Sequence, residues 1–150
     1  MGSAQFILSA MQKGEKISFM LCLEMLGFYT DQADSQSYPA FLKFFYPDQG
    51  RFIAVVGNPQ SRHYVKKIKL IFEQGATPVE SLIAPAWVRG VDFSDHMNFW
   101  AKGIPAVMLT DTAFYRNPNY HRASDLPHTL DFEKMAEAAT GVALSIQKLA

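Results

Sequence analysis

A chain of 150 residues, 49% apolar and 19% charged, has the length of one domain and enough hydrophobic side chains to bury a core. Lys plus Arg balances Asp plus Glu at 14 each, so no net charge draws it to nucleic acid or to an anionic membrane. The single cysteine, Cys22, excludes an internal disulfide and a cysteine-based zinc site. The apolar run from Ile17 to Tyr29 is interrupted by Ser18 and Glu24 and is too short to span a bilayer. No secretory leader is visible in the first residues, which slightly favours a cytoplasmic location.

The first predicted element is a helix capped by Ser3 and running to about Lys13, with Ile7, Leu8 and Met11 on its inner face and Gly14 ending it. A strand follows within Ile17 to Met25, and a second covers Phe52 to Gly57. Ser61 caps a second helix through Glu73, on which Tyr64, Val65, Ile68 and Phe72 keep the helical period. A third strand spans Glu80 to Ala84. Ser94 opens a short helix, with Met97, Phe99 and Trp100 as its apolar residues, that stops at Gly103. The fourth strand is Ala106 to Thr110, where Pro105 is tolerated at the entry. Asp131 caps the last helix, whose inner stripe reads Phe132, Met135, Ala139, Val142, Ile146 and Leu149.

Strands that are apolar throughout, alternating with helices, indicate an α/β three-layer sandwich around a mixed, largely parallel sheet. Two long segments without regular structure, Thr30 to Gly50 and Asp111 to Thr129, are of the length that compact domains reserve for function. Ligands in open α/β sheets bind beyond the carboxyl ends of the strands, and three polar clusters fall at such ends. Glu24 comes late in an otherwise apolar strand, where a carboxylate needs a cationic or hydrogen-bonding partner. It is either paired with an arginine or backbone amides, or it is a metal ligand. Ser94-Asp95-His96 reads as a helix N-terminus or as a group of polar site residues. The segment from Asn117 to Asp125 sets His121 and an acid four residues apart in a loop rich in turn formers. His63 and His128 lack such a setting and read as surface residues.

These clusters carry a family resemblance. The stretch from Ser94 to Ala106, the stretch from Asp111 to His121 with Asp125 beyond it, and Leu23-Glu24-Met25-Leu26-Gly27 occur in the order and spacing of one family. It is that of the zinc exopeptidases related to bacterial leucyl aminopeptidase, aminopeptidase Y and glutaminyl cyclase (the twenty-eighth metallopeptidase family). The resemblance covers nearly the whole chain. It implies a metal-dependent peptidase that releases N-terminal residues from peptides. It also implies a site with two zinc ions, in which Glu24 is a terminal ligand to one metal and His121 the imidazole ligand to the other. Asp95 and His96 resemble groups that orient the site or border its substrate pocket. Arg116 and Tyr120 lie on the loop expected to border that pocket, and Phe114 and Tyr115 are expected to line it.

The chain departs from the family at Arg122 and Leu126, both positions where threonine is usual. The family's first histidine ligand, its bridging aspartate and its adjacent acids, one of them the general base, have no counterpart in this sequence. The expectation is therefore the C-terminal portion of a single zinc exopeptidase-like domain over 1–150, with no catalytic base of its own and zinc bound weakly or not at all. A half-sheet would leave an exposed edge, so association is expected, as a homo-oligomer or with the missing N-terminal half. The alternatives are a glutaminyl-cyclase-like acyl transferase with one zinc, and a non-catalytic module. A phosphate-binding α/β fold is excluded, because no glycine-rich fingerprint follows any strand.

Overall fold

A computed structural model describes residues 2–149. The regular elements in chain order are α1 (Gly2–Gln12), β1 (Met20–Glu24), β2 (Ile53–Gly57), α2 (Arg62–Phe72), β3 (Val79–Ile83), α3 (His96–Trp100), β4 (Ala106–Thr110) and α4 (Phe132–Leu149). Short 3-10 turns at Ala40–Phe44, Pro59–Ser61, Ala113–Tyr115 and Pro127–Thr129 punctuate the connections. The four strands form one sheet in the order β1-β4-β2-β3. β1 runs parallel to β4 and β2 parallel to β3, while β2 and β4 are antiparallel. The sheet is thus mixed and largely parallel, as the strand-helix alternation predicts. Among the described residues no helix is long and apolar enough to cross a membrane.

The central strands β2 and β4 are buried along their whole length, whereas β1 and β3 form half-exposed edges. On one face Ile53, Val55, Val107 and Leu109 pack against Val65, Ile68 and Phe72 of α2 and Val142 of α4. On the other, Ala106 and Met20 meet Phe99 and Trp100 of α3 and Ile7 of α1. Further along that second face the cover passes from helices to irregular chain, with Phe52, Ala54, Val56 and Met108 packed beside Val91, Val88 and Tyr38. These layers make the expected three-layer sandwich, with one side closed only in part by helix.

Two helices turn differently from their hydrophobic stripes. α1 buries Ile7 and Ala10, and leaves Leu8 and Met11 at the surface. α4 buries Ala138, Gly141, Val142 and Ser145, while Phe132 and Ile146 of the expected stripe are 60% and 57% exposed. The reason is close approach. A Cβ on Gly141 would stand 2.6 Å from the Phe72 ring, so the small residues of α4 let it settle directly on α2.

The caps also divide. Asp131 Oδ1 accepts the Lys134 amide at 2.9 Å, an ordinary N-cap bond. Ser61 does something else. Its hydroxyl donates to Asn58 Oδ1 at 2.8 Å and accepts the buried Ala106 amide at 3.0 Å, joining the start of α2 to the start of β4.

Candidate functional site

The sheet register places the site. Glu24 pairs with Thr110, Thr110 with Ala54, and Ala54 with Glu80, so one row of residues crosses all four strands. All four line a cavity of about 100 Å³ on the face that helices leave open. Its floor is apolar (Ala54, Val56, Leu82, Met108), and its walls come from the two long irregular segments predicted to be functional. Tyr38, Leu42 and Tyr46 form one wall; Phe114, Tyr115 and Tyr120 form another; Arg89 to Val91 and Phe93 close the rim. A mostly apolar concavity with a few polar groups is the usual form of a small-ligand site.

Glu24 ends β1 at the edge of this cavity. Its Oε2 accepts a hydrogen bond from Ser94 Oγ at 2.6 Å, and Ser94 Oγ lies 3.3 Å from the buried Cys22 Sγ. Ser94 therefore does not cap α3, as the sequence reading has it; it is turned back to β1. Burial pushes the Cys22 thiol above its ordinary pKa, with the Ser94 hydroxyl acting against that shift.

The backbone just past the strand ends is strained and firmly tied. Met25, immediately after Glu24, has φ +51, and Thr112 and Ala113, just after β4, have φ +74 and +47. Left-handed conformations at non-glycine residues are uncommon and concentrate where a site is held in place. The tie is Asp111, a fully buried carboxylate that opens the second family-like stretch but is given no role there. Its Oδ2 accepts the amides of Gly27 (3.1 Å) and Phe28 (2.8 Å), and its Oδ1 accepts the amide of Ala113 (2.9 Å). Burial raises its pKa, opposed by these amides and by the neighbouring Arg116 guanidinium.

Arg116 lies on the loop that borders the cavity but is not among the cavity's lining residues. It is buried, donating from Nε to Gln36 Oε1 at 2.8 Å and from Nη1 to the carbonyls of Phe52 (2.9 Å) and Phe28 (3.2 Å). Its guanidinium rests 4.6 Å from the centre of the Phe52 ring. Burial lowers its pKa to about 10, against the pull of Asp111. Gly50 is required beside it, because a Cβ there would fall 2.7 Å from the Arg116 side chain. Arg116 thus clamps the segments that build the cavity walls and touches no ligand space.

The other expected residues separate in the same way. Phe114, Tyr115 and Tyr120 do line the cavity, and the Tyr115 hydroxyl donates to the Arg89 carbonyl at 3.1 Å. His121 is exposed at φ +57, its ring stacked 3.9 Å from that of Tyr120. Asp95 is exposed and accepts a hydrogen bond from Ser3 Oγ at 2.6 Å, which links α3 to α1. His96 is fully buried. Its Nε2–H donates to the Val91 carbonyl at 2.7 Å, its ring meets Trp100 edge-on, and Nδ1 has no partner among the described residues. Burial lowers the His96 pKa, against the hydrogen bond to Val91 and the nearby carboxylates. By fixing the turn at Val91 it holds the Ser94 segment against Glu24.

A metal can be tested against these donors. Catalytic zinc takes three protein ligands and keeps a fourth position open. Among the described residues no group of three or more His, Cys, Asp or Glu side chains is placed to hold a metal ion. One carboxylate and one imidazole are suitable in kind, but the residues present do not fit a zinc by themselves.

Comparison with known proteins agrees with this architecture. The chain is 44% identical over 129 residues to the uncharacterized protein YfbL of Escherichia coli K12, a match covering 84% of this chain and 40% of YfbL. Its fold matches the LapA aminopeptidase of Legionella pneumophila, with a TM-score of 0.73 and 18% identity over 99% of this chain and 35% of LapA. LapB from the same organism matches with a TM-score of 0.72, again at 18% identity, over 99% of this chain and 35% of LapB. The chain therefore spans about two-fifths of its curated relative and about a third of its structural neighbours. The model of peptidase family M28 matches residues 1–146, and the chain belongs to that family.

Proposed function

We propose that this chain forms the substrate-pocket side of a metal-dependent exopeptidase that removes N-terminal residues from peptides. The observation that carries the reading is the position of Glu24, at the carboxyl ends of the parallel pair β1 and β4, on a cavity that Tyr120, the neighbour of His121, also lines. On this reading Glu24 and His121 each give one donor to a two-zinc centre. The remaining ligands and the general base come from outside these 150 residues.

What the chain's own residues do follows from the geometry. The apolar floor takes the side chain of the substrate's first residue and excludes water from it. The Ser94 hydroxyl fixes one oxygen of Glu24, and Asp111 and Arg116 keep the walls in register. The edge strand β1, with Leu23 half exposed, supports pairing with a further strand, from the missing half or from a second copy.

Two measurements test the proposal. The 150-residue chain should retain well under one equivalent of zinc by elemental analysis and should not hydrolyse aminoacyl 4-nitroanilides. Fused behind the part of the E. coli relative that it does not match, it should hold two zinc ions and release nitroaniline. Glu24→Ala and His121→Ala should each lower that activity by at least about a hundredfold, the scale of losing a group that acts in the transition state. A folded fusion that binds no zinc or cleaves nothing overturns the reading.

A further inference from the structure

The in-register row across the open face carries a second acid. Glu80 stands on β3 at the end opposite Glu24, on the same side of the sheet and lining the same cavity. Its surroundings are unlike those of Glu24. No described residue donates a hydrogen bond to Glu80 or pairs with it as an ion. The two tyrosines beside it give their hydroxyl protons elsewhere, Tyr38 to the Pro47 carbonyl and Tyr46 to the Ser81 carbonyl at 2.8 Å. Lys69, the cation whose field reaches it, is already paired with Glu73 on α2. Burial pushes the Glu80 carboxyl above its ordinary range. A half-buried carboxylate without a partner is unfavourable for the fold and is explained by a cation that arrives with the ligand.

Spacing sets the size of that ligand. Three strand separations put the Glu24 and Glu80 backbones about 14 Å apart. A molecule that reaches from the Glu24 end of this row to Glu80 must be long and thin, as an extended lysine or arginine is from its α-amino end to the tip of its side chain. The cavity's other formal charge, Arg89, is exposed and stacked 5.6 Å over Phe114 at the rim, where water screens it more than it screens Glu80.

We infer that Glu80 is a specificity-determining residue that makes the cavity select a basic N-terminal residue, lysine or arginine, with the stem on the apolar floor and the cationic tip on Glu80. The inference rests on the reading of this cavity as the pocket for the substrate's first side chain. Its test needs neither metal nor turnover. Binding of lysinamide, argininamide and norleucinamide to the 150-residue chain is measured by calorimetry at low salt.

The two basic amides should bind at least about tenfold more tightly than norleucinamide, and added salt should shrink that margin. In Glu80→Gln the margin should vanish while norleucinamide binding stays. In Glu80→Lys the order should invert, which keeps the test decisive if one variant folds poorly. Equal affinities in the unaltered chain, a preference that survives Glu80→Gln, or no binding of any amide overturns the inference. Selective binding with an inactive fusion protein would remove the peptidase reading and leave the basic pocket standing.

Discussion

The two faces of the sheet draw on alternate residues of the same strands and serve different ends. Under α2 and α4, Ile53, Val55, Val107 and Leu109 meet Val65, Ile68 and Phe72 directly, and small residues on α4 bring that helix close. On the opposite face Ala54, Val56 and Met108 lie between two acids and beneath loops held by Asp111 and Arg116. The first face gains stability from apolar area removed from water. The second holds strained backbone and an acid without a partner, neither of which a stable core needs. The fold is stabilised on one side so that the other can be left open.

The largest expected effect lies on the closed face. Phe72 fills the contact between α2 and Gly141 of α4 and borders an existing cavity of about 260 Å³ between those helices. Phe72→Ala should destabilise by about 3–5 kcal/mol in urea unfolding. It should leave the affinity for amino acid amides unchanged wherever the protein is still folded. Loss of binding in the folded variant would show that the faces are coupled and that the division is too sharp.

A smaller effect is expected from the polar clamp on the open face. Arg116→Met removes the guanidinium from the carbonyls of Phe28 and Phe52 and leaves Gln36 Oε1 with the Thr112 hydroxyl as its donor, inside the protein. Unpaired buried groups of this kind cost about 1–3 kcal/mol each, softened where water can enter, so a total of about 2–4 kcal/mol is expected. Here the ligand affinity should fall together with the stability, because the clamp holds the cavity walls. Arg116→Lys should recover little of either, since an ammonium cannot reproduce the planar fork.

That contrast also explains what the sequence could show. The strands and the α/β class were legible because β2, β3 and β4 are short apolar runs between turn formers, and burial of a whole strand leaves that local mark. The helix faces were less so. Periodicity weighs large apolar residues, and α4 instead docks through Ala138, Gly141 and Ser145. Glu24 was legible as an acid misplaced in an apolar strand. Glu80 bears the same mark within Val79–Ile83 and could have been found by it. Arg116, Gln36 and Asp111 could not. Apart from the Ala113 amide and the Ser37 carbonyl, their side-chain partners lie 64 to 88 residues away in the chain, and no local pattern encodes a contact made only when two loops meet. The cavity-lining roles of Phe114, Tyr115 and Tyr120 came from resemblance. For Arg116 the same resemblance gives the loop and not the direction of each side chain on it.

The smallest effect separates the faces by sign. Glu80 has a folded-state pKa raised above its ordinary value of 4.5 by burial. Between the two values the folded protein holds the proton that the unfolded chain has released, so stability falls as pH rises through that window. Above it the ionised, unpartnered carboxylate lowers stability by its full amount, and below pH 4.5 both states are protonated and the penalty is gone. Glu80→Gln removes the charge at every pH. It should therefore raise the melting temperature slightly at pH 7, with the gain fading as the pH is brought below the carboxylate range. Truncation on the closed face can only lose stability, whereas neutralising this acid on the open face should gain it while discarding the preference for basic residues. A Glu80→Gln protein that melts lower than the parent at pH 7 would mean that Glu80 already has a partner within the fold, and the open face would then be a second core.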